Sequence, residues 1–497
     1  MAEAVDVLFI NPGDRKQIYQ DLGDEFSAIE PPVFAGLYAT YVRGKGLSAA
    51  IYDAPAMGAS ADMVARAATE DFNAKLIVIV CYGLQPSAST QNMTAAGAIA
   101  EKIKDADPEA RVMMTGTHPS ALPLRTMQEE AVDFVCDLEG PATILKTFHA
   151  IKSRANDYSD VPSLWWRDGA EIVPPASAEP LITDLDEEMP GIAWDLLPMD
   201  RYRSHNWHSF GHIDDRSPYA AIHTSLGCPY HCSFCCINSP FGKSSYRMWK
   251  PESVIKEIDY LVENFGVRNI KFVDEMFVLN KRHVHGICDL LKSRDYEVNI
   301  WAYARVDSVR DEFLDGLKAA GVNWLCLGIE SASDHVRDGA LKKYGNDDII
   351  DVARRIQGAG INIIGNYIFG LPDDNVPRMQ ETLDLALELN CEFANFYSAM
   401  AYPGSKLYDD AVAGGLELPD TWKDFSQHGY NAKPLSNDHC SAADILEFRD
   451  AAFDTYYTHQ PYLDLVRDKF GDDVVAHIER MRAIPLSRKL LEERNAA

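Results

Sequence analysis

Short apolar runs alternate with stretches whose apolar positions recur every three or four residues, and this rhythm occurs twice along the chain. Continuous apolar runs of strand length suit strands buried on both faces, and the longer spacing suits amphipathic helices. The first part predicts strands at Val5–Ile10, Ala49–Tyr52, Leu76–Cys81, Val112–Thr115 and Asp133–Cys136. Helical patterns lie around 33–44, 60–72, 89–104, 121–130 and 141–152. Strands alternating with helices of this length make parallel βαβ units. Residues 1–152 are therefore expected to form an α/β, doubly wound domain of Rossmann or flavodoxin type.

Residues 153–218 break the rhythm with Pro and Asp, carry a hairpin signal in Leu164–Val173, and read as a linker between two domains. From 219 the rhythm returns, with strands predicted at Ala220–Thr224, Asn269–Val273, Asn299–Tyr303, Trp324–Ile329, Ile363–Phe369 and Ala394–Met400. The helices between them are expected at 251–264, 280–293, 308–319, 346–359 and 376–389. Six βα units over 219–409 predict a partial TIM-like barrel, open on one side, with ligands at the C-terminal ends of its strands. Residues 410–497 show helical patterns and no strand rhythm, and are placed to close the open side. Nothing in them has a readable chemical bias.

Composition changes this picture little. The formal net charge of −28 is spread along the chain, which disfavours nucleic acid as the partner. No apolar run reaches the length of a membrane span, and the start MAEAVDVLFINPGD lacks a basic, signal-like region. A cytoplasmic protein with no membrane partner is expected.

The cysteines change it most. Cys81, Cys136, Cys288, Cys326, Cys391 and Cys440 are scattered and read as buried small hydrophobes, whereas the other four fall within nine residues. Cys228, Cys232 and Cys235 follow the first strand of the second domain with the spacing C-x3-C-x2-C. Three thiolates on one loop can each hold one iron of a cubane and leave a fourth iron open for chemistry. A structural zinc site would need a fourth ligand at a paired spacing; His231 and Cys236 are adjacent to other ligands and no second CxxC exists.

A C-x3-C-x2-C segment after the first strand of a six-fold βα barrel resembles the radical S-adenosylmethionine (SAM) superfamily. The resemblance covers about residues 219–405 and ends on Ala401-Tyr402-Pro403-Gly404-Ser405. It implies a [4Fe–4S] cluster on Cys228, Cys232 and Cys235, whose open iron chelates SAM and cleaves it to methionine and a 5′-deoxyadenosyl radical. It also implies SAM-binding roles for residues at successive strand ends. Phe234 is expected to pack on adenine, Asp274 and Glu275 to receive the ammonium, Arg305 to meet the carboxylate and Glu330 to lie near the ribose. Gly365 and Gly370, in a GNYIFG strand, are placed beside the adenine.

A doubly wound domain before such a barrel resembles the cobalamin-binding subfamily. Its ligand is expected outside the C-terminal strand ends, at Asn11, Gly13, Gly83, Leu84, Gln85, Thr115, Gly116, His118, Glu139 and Gly140. Thr115–Pro119 is similar to the subfamily's GG-x-H-P loop with threonine for the first glycine, and Leu138-Glu139-Gly140 is a reduced form of its GEGE turn. The D-x-H-x-x-G signature of other cobalamin proteins is absent. His118 is then read as positioning its loop, and the cobalt's lower face is left to water, to nothing or to a neighbour such as Gln85.

Three further places carry two readings each. Tyr202–His208 either lines a cleft between the domains or anchors the linker, Cys236 is either a reactive thiol or packing, and Tyr456, Tyr457, His459 and Tyr462 either touch substrate or form core. Taken together, the resemblance implies a methyltransferase that acts on an unactivated carbon of a small molecule through a 5′-deoxyadenosyl radical and methylcobalamin. An external flavodoxin or ferredoxin would supply the electron. The alternatives are a radical oxidative cyclase or rearrangement enzyme without methyl transfer, and a cobalamin or cluster sensor without turnover.

Overall fold

A computed structural model describes residues 4–85, 87–154 and 157–496; the first three residues of the opening segment lie outside them. The amino-terminal sheet is built on five parallel strands, β1 (Val7–Asn11), β2 (Ala49–Asp53), β3 (Leu76–Cys81), β4 (Val112–Gly116) and β5 (Phe134–Cys136). Their order, β2-β1-β3-β4-β5, is that of a flavodoxin-like doubly wound fold. The central strand β3, LIVIVC, is buried at every position, as a parallel strand covered by helices on both faces must be.

The hairpin in the linker has a role that its sequence signal did not disclose. β6 (Leu164–Asp168) and β7 (Glu171–Val173) add antiparallel to β5, so the sheet has seven strands and not five. An unpaired β5 edge would expose a row of free backbone donors and acceptors, and the hairpin covers it. The helix expected at 121–130 is also divided, into Thr117–Ala121 and Pro123–Glu129, with Pro123 opening the second piece.

The barrel consists of β8 (Tyr219–Ile222), β11 (Asn269–Phe272), β12 (Asn299–Arg305), β13 (Val322–Glu330), β14 (Asn362–Phe369) and β15 (Phe393–Ser398), all parallel and in sequence order. A two-stranded ribbon, β9 (Ser225–Leu226) with β10 (Arg247–Met248), flanks the cysteine loop. The helices between strands begin and end on sequence signals. Pro251 opens Pro251–Phe265 and Gly266 closes it at φ 64°, and Asn375 caps Val376–Leu389 by accepting from the Arg378 amide at 3.1 Å.

The linker plugs the base of the barrel. Trp207 meets Trp301, Trp324 and Phe393 at ring distances of 5.0–5.8 Å, and His208 shares a 2.9 Å hydrogen bond with the Asn299 carbonyl. The carboxy-terminal helix Ala442–Thr458 packs on β15. Tyr456 and Tyr457 donate to the carbonyls of Cys391 and Ala394 at 2.5 and 2.8 Å, and Tyr462 to that of Glu392 at 3.3 Å. These tyrosines are core and do not reach a ligand site. Among the described residues no helix is long and apolar enough to cross a membrane.

Tyr202, also from the linker, reaches into the first domain and donates to Asp53 at 2.8 Å, while Asn11 donates to the other carboxylate oxygen at 2.9 Å. Burial pushes the Asp53 carboxyl up to about 6, against those two hydrogen bonds. A folded-state value above the ordinary one stabilises fully below about pH 4 and is lost as pH rises through about 6. Asp53→Asn is therefore expected to gain about 2 kcal/mol on the wild type between pH 4 and 7. Urea midpoints of both proteins at the two pH values test this, and a difference that stays constant with pH contradicts it.

Candidate active site

The cysteine loop is fixed before it begins. Asp274, at the end of β11, accepts from the Thr224 amide and hydroxyl, both at 2.6 Å, and from the Ser225 hydroxyl at 2.5 Å. His283 adds a 2.8 Å bond to the Thr224 hydroxyl. Gly227 then turns the chain at φ 84°, where a Cβ would lie 2.5 Å from the Ser245 carbonyl oxygen, so only glycine fits. Immediately beyond it Cys228, Cys232 and Cys235, all free thiols, line one cavity of about 700 Å³.

Burial pushes the Cys228 thiol up to about 12 and the Cys235 thiol well above its ordinary value. Thiols so held become thiolates only when a cation takes the proton's place, which suits an iron site. Among the described residues no three His, Cys, Asp or Glu side chains gather as for a single metal ion. The ligands of a cubane each meet a different iron and need no such convergence. The donor set therefore fits a cluster. Cys236 is buried beside the triad at the cavity wall, its thiol pushed up to about 12 by burial.

Charged side chains from later strand ends share the cavity. Phe234, Glu275, Arg305 and Glu330 all line it, as expected. Asp307 clamps the Arg305 guanidinium through two bonds of 2.9 and 3.0 Å. A third nitrogen of Arg305 lies 3.5 Å from the Cys232 sulfur, and the group sits 4.0 Å over the Tyr230 ring. Burial opposes the charge, but Asp307 more than restores it and the Arg305 pKa is raised. Burial also lifts Glu275 to about 7, with Lys271 pulling the other way, so this carboxyl exchanges its proton near neutrality.

Glu330 ends β13 at φ 66°, a left-handed conformation unusual for a residue with a side chain and found where function holds it. It forms a buried ion pair with Lys342, whose ammonium also lies 5.9 Å from the Phe234 ring. Lys342 lines the cavity and was missed in the sequence. It follows the short helix Asp334–Gly339 in an irregular segment that carries no motif.

Three of the residues expected at SAM do not line the cavity. Asp274 is wholly engaged in bolting the cysteine loop and does not line the cavity. Gly365 and Gly370 do not line it either; strand alternation turns Asn366 and Ile368 inward instead. A Cβ on Gly365 would strike the Tyr367 ring at 2.8–3.0 Å, and one on Gly370, at φ 81°, the Ile445 side chain at 2.5 Å. Both glycines serve packing.

Of the residues expected at the first domain's strand ends, Leu84 and Gln85 line the cavity, joined by Ser87, Ala88 and Gln91. Gln85 donates to the Tyr303 hydroxyl on β12 at 3.1 Å. This wall of small and polar side chains fits a broad, flat ring laid against it. The other residues support the wall from behind. A Cβ on Gly83 would strike Ala88 at 2.3 Å, one on Gly13 Pro55 at 2.8 Å, and one on Gly116 the Cys81 carbonyl at 2.2 Å. Thr115, next in line, is buried with its hydroxyl unpaired, 3.2 Å from where a Gly140 Cβ would stand.

His118 is buried away from the cavity. Its amide donates to the Ser89 hydroxyl at 2.9 Å, its ring bonds Thr90 at 3.2 Å, and Trp422 packs against it at 4.4 Å. Burial pulls its pKa down to about 3, so it is neutral, and it holds the helix that begins at Ala88. Glu139 pairs with Arg247 at 2.7 Å and accepts from the Ile182 amide at 2.9 Å, which ties the first domain to β10. Asn11 is used by Asp53. The linker segment divides between its two readings: His205, Asn206 and Trp207 line the cavity, whereas Tyr202 and His208 anchor.

Comparison with known proteins agrees with this architecture. The family model described as the Radical SAM superfamily matches residues 222–386, and that of the B12 binding domain matches residues 20–146. The chain thus carries a radical SAM domain preceded by a B12-binding domain. An uncharacterized methyltransferase of Pyrococcus horikoshii is 29% identical over 343 residues, 68% of this chain and 71% of that protein. The anaerobic magnesium-protoporphyrin IX monomethyl ester cyclase of Rubrivivax gelatinosus is 25% identical over 92% of this chain and 78% of its own length. Among solved structures, the radical SAM methyltransferase TsrM of Kitasatospora setae, with cobalamin and a [4Fe–4S] cluster bound, shares the fold. It superposes with a TM-score of 0.67 at 16% identity over 92% of this chain and 89% of that one.

Proposed function

We propose that this protein is a cobalamin-dependent radical SAM enzyme that methylates an unactivated carbon of a small molecule. The observation that carries the proposal is convergence: Cys228, Cys232 and Cys235, the charged groups of three later strand ends, and Leu84 and Gln85 of the B12-binding domain line one cavity. Relatives named as methyltransferases support methyl transfer, among them the Pyrococcus protein.

In this reading the three cysteines hold a [4Fe–4S] cluster, and Leu84 and Gln85 lie against the corrin. When bound, these groups supply the electron that splits SAM and the methyl group that is transferred. The chain's own residues place the cosubstrate. Arg305, kept cationic by Asp307, is set to meet the methionine carboxylate, and Glu275 the ammonium. Phe234 offers a face to adenine, and the Glu330–Lys342 pair offers charge to the ribose. Asp274 and His118 act one step back, by fixing the two loops. A flavodoxin- or ferredoxin-type protein would supply the electron.

Anaerobic purification with iron, sulfide and hydroxocobalamin, followed by reductant and SAM, tests the proposal. Cluster and corrin absorbance should appear together, and S-adenosylhomocysteine should accumulate alongside 5′-deoxyadenosine once substrate is present. Deoxyadenosine without S-adenosylhomocysteine favours the second reading, a radical cyclase, which the relative spanning 92% of the chain supports. Product mass separates the two, by a methylene gained against a change in hydrogen count.

A further inference from the structure

One wall of the cavity comes from helices Ala442–Thr458 and Asp472–Arg482, both outside the ranges matched by the two family models. Its charged lining residues are Arg449, Asp450, Asp454 and Arg482, with Arg488 behind them, on a chain whose net charge is −28. Arg449 is 4% exposed. Its guanidinium donates to the Phe396 carbonyl at 2.8 Å, to Asp450 at 2.7 Å and to the His428 ring at 3.3 Å. Three of its five N–H groups are thereby used and two are free. Asp450 is shared, because Arg488 holds it through two bonds of 2.9 Å, so one carboxylate answers two guanidiniums. Burial, with Arg449 and Arg488 beside it, pulls His428 down to about 3, so that ring adds an acceptor and no charge.

Arg482 completes the wall and has little holding it. Its Nε is buried with no hydrogen-bond partner among the described residues. The carboxylate it faces, Asp454, is 3.8 Å away and 67% exposed, too far for a hydrogen bond and well screened by water. Three guanidiniums thus meet two carboxylates, one of them largely solvated. The Arg482 side chain is 29% exposed and keeps donors to spare, and a planar guanidinium with free donors matches an oxyanion bidentately. Phe393, Phe396, Tyr397 and Phe453 line the same cavity and offer apolar surface to the rest of a ligand.

We infer that Arg482 and Arg449 form the docking site for an anionic group, a carboxylate or phosphate, on an apolar-bodied substrate. This rests on the reading of the cavity as the substrate site. It explains how an acidic protein selects an organic anion: the charge that matters is the local one at the cavity wall.

Calorimetric titration of the reconstituted protein with 1-naphthoate and with 1-naphthamide, equal in shape and different in charge, tests it. The acid should bind at least about tenfold more tightly than the amide, as loss of a charge-assisted hydrogen bond would produce. Arg482→Gln should remove that preference, and Asp454→Asn, which removes a like charge lining the cavity beside the docked acid, should tighten the acid several-fold. Equal binding of acid and amide, no binding of the acid, or no gain from Asp454→Asn overturns the inference. The cobalamin phosphate is the competing anion, and a fall in hydroxocobalamin affinity on Arg482→Gln would assign the wall to it and overturn the substrate role. SAM products are assayed separately, so acid-selective binding without S-adenosylhomocysteine would sink methyl transfer and leave this site standing.

Discussion

Replacing Cys228, Cys232 or Cys235 by alanine should abolish the cluster absorbance and reduce SAM cleavage at least about a hundredfold. Loss of an outer-shell partner already costs 10–100-fold at metal sites, and loss of a ligand costs more. No neighbouring group stands ready to substitute. His231 is turned to the Ser244 hydroxyl at 2.9–3.1 Å, outside the cavity lining. Cys236 also lines the cavity, but it follows Cys235 directly, and adjacent side chains on an extended or turning backbone diverge too far to meet the same iron. Cys236→Ala should therefore keep the cluster spectrum that each triad variant loses. Iron and sulfide content per chain, measured beside the absorbance at fixed protein concentration, distinguishes cluster loss from misfolding. Retention of a full cluster in any triad variant would remove that cysteine from the ligand set.

Lys342→Met should be the most damaging single change in the ion-pair system. Lys342 and Glu330 are 6% and 7% exposed, so removing the ammonium strands a buried carboxylate on a residue already held at positive φ. Breaking a buried pair from one side costs about 3–5 kcal/mol, whereas replacing both members with neutral groups is close to neutral. The double variant Lys342→Met with Glu330→Gln should then recover most of the stability that the single variant loses. Neither should recover SAM turnover, because both lack the charge placed beside Phe234 and the ribose position. Urea midpoints and the kcat/KM for SAM, read on the same preparations, separate the two effects. A double variant that regains SAM cleavage with its stability would mean that the pair is only structural.

Much of the scaffold was legible because burial leaves a trace in local pattern. β3 spans Leu76–Cys81 as its apolar run indicates, and the helices Val33–Gly44, Pro141–Lys152 and Val376–Leu389 occupy the amphipathic stretches that announced them. The hairpin at 164–173 was legible as a hairpin. Its partner was not, since pairing with β5 depends on which sheet edge is left open. Placement at the candidate site has the same origin. Asp274 and Glu275 are adjacent in sequence and equally acidic, yet one is spent on the cysteine loop and the other faces the cavity. His118 sits in a loop of the expected kind and is turned to Trp422, some 300 residues further along.

Local chemistry is readable along the chain: three cysteines on one short loop, and the strand-helix rhythm that puts a loop at each strand's end. Those features depend on spacing along the chain, and spacing is written in the sequence. Which side chains meet is settled by folding alone. Lys342 with Glu330, Gln85 with Tyr303, and Arg449 and Arg482 at the cavity wall come from segments distant in sequence. Whether such a group is paired, spent or free to bind depends on the neighbours that folding brings to it and on the water that folding removes.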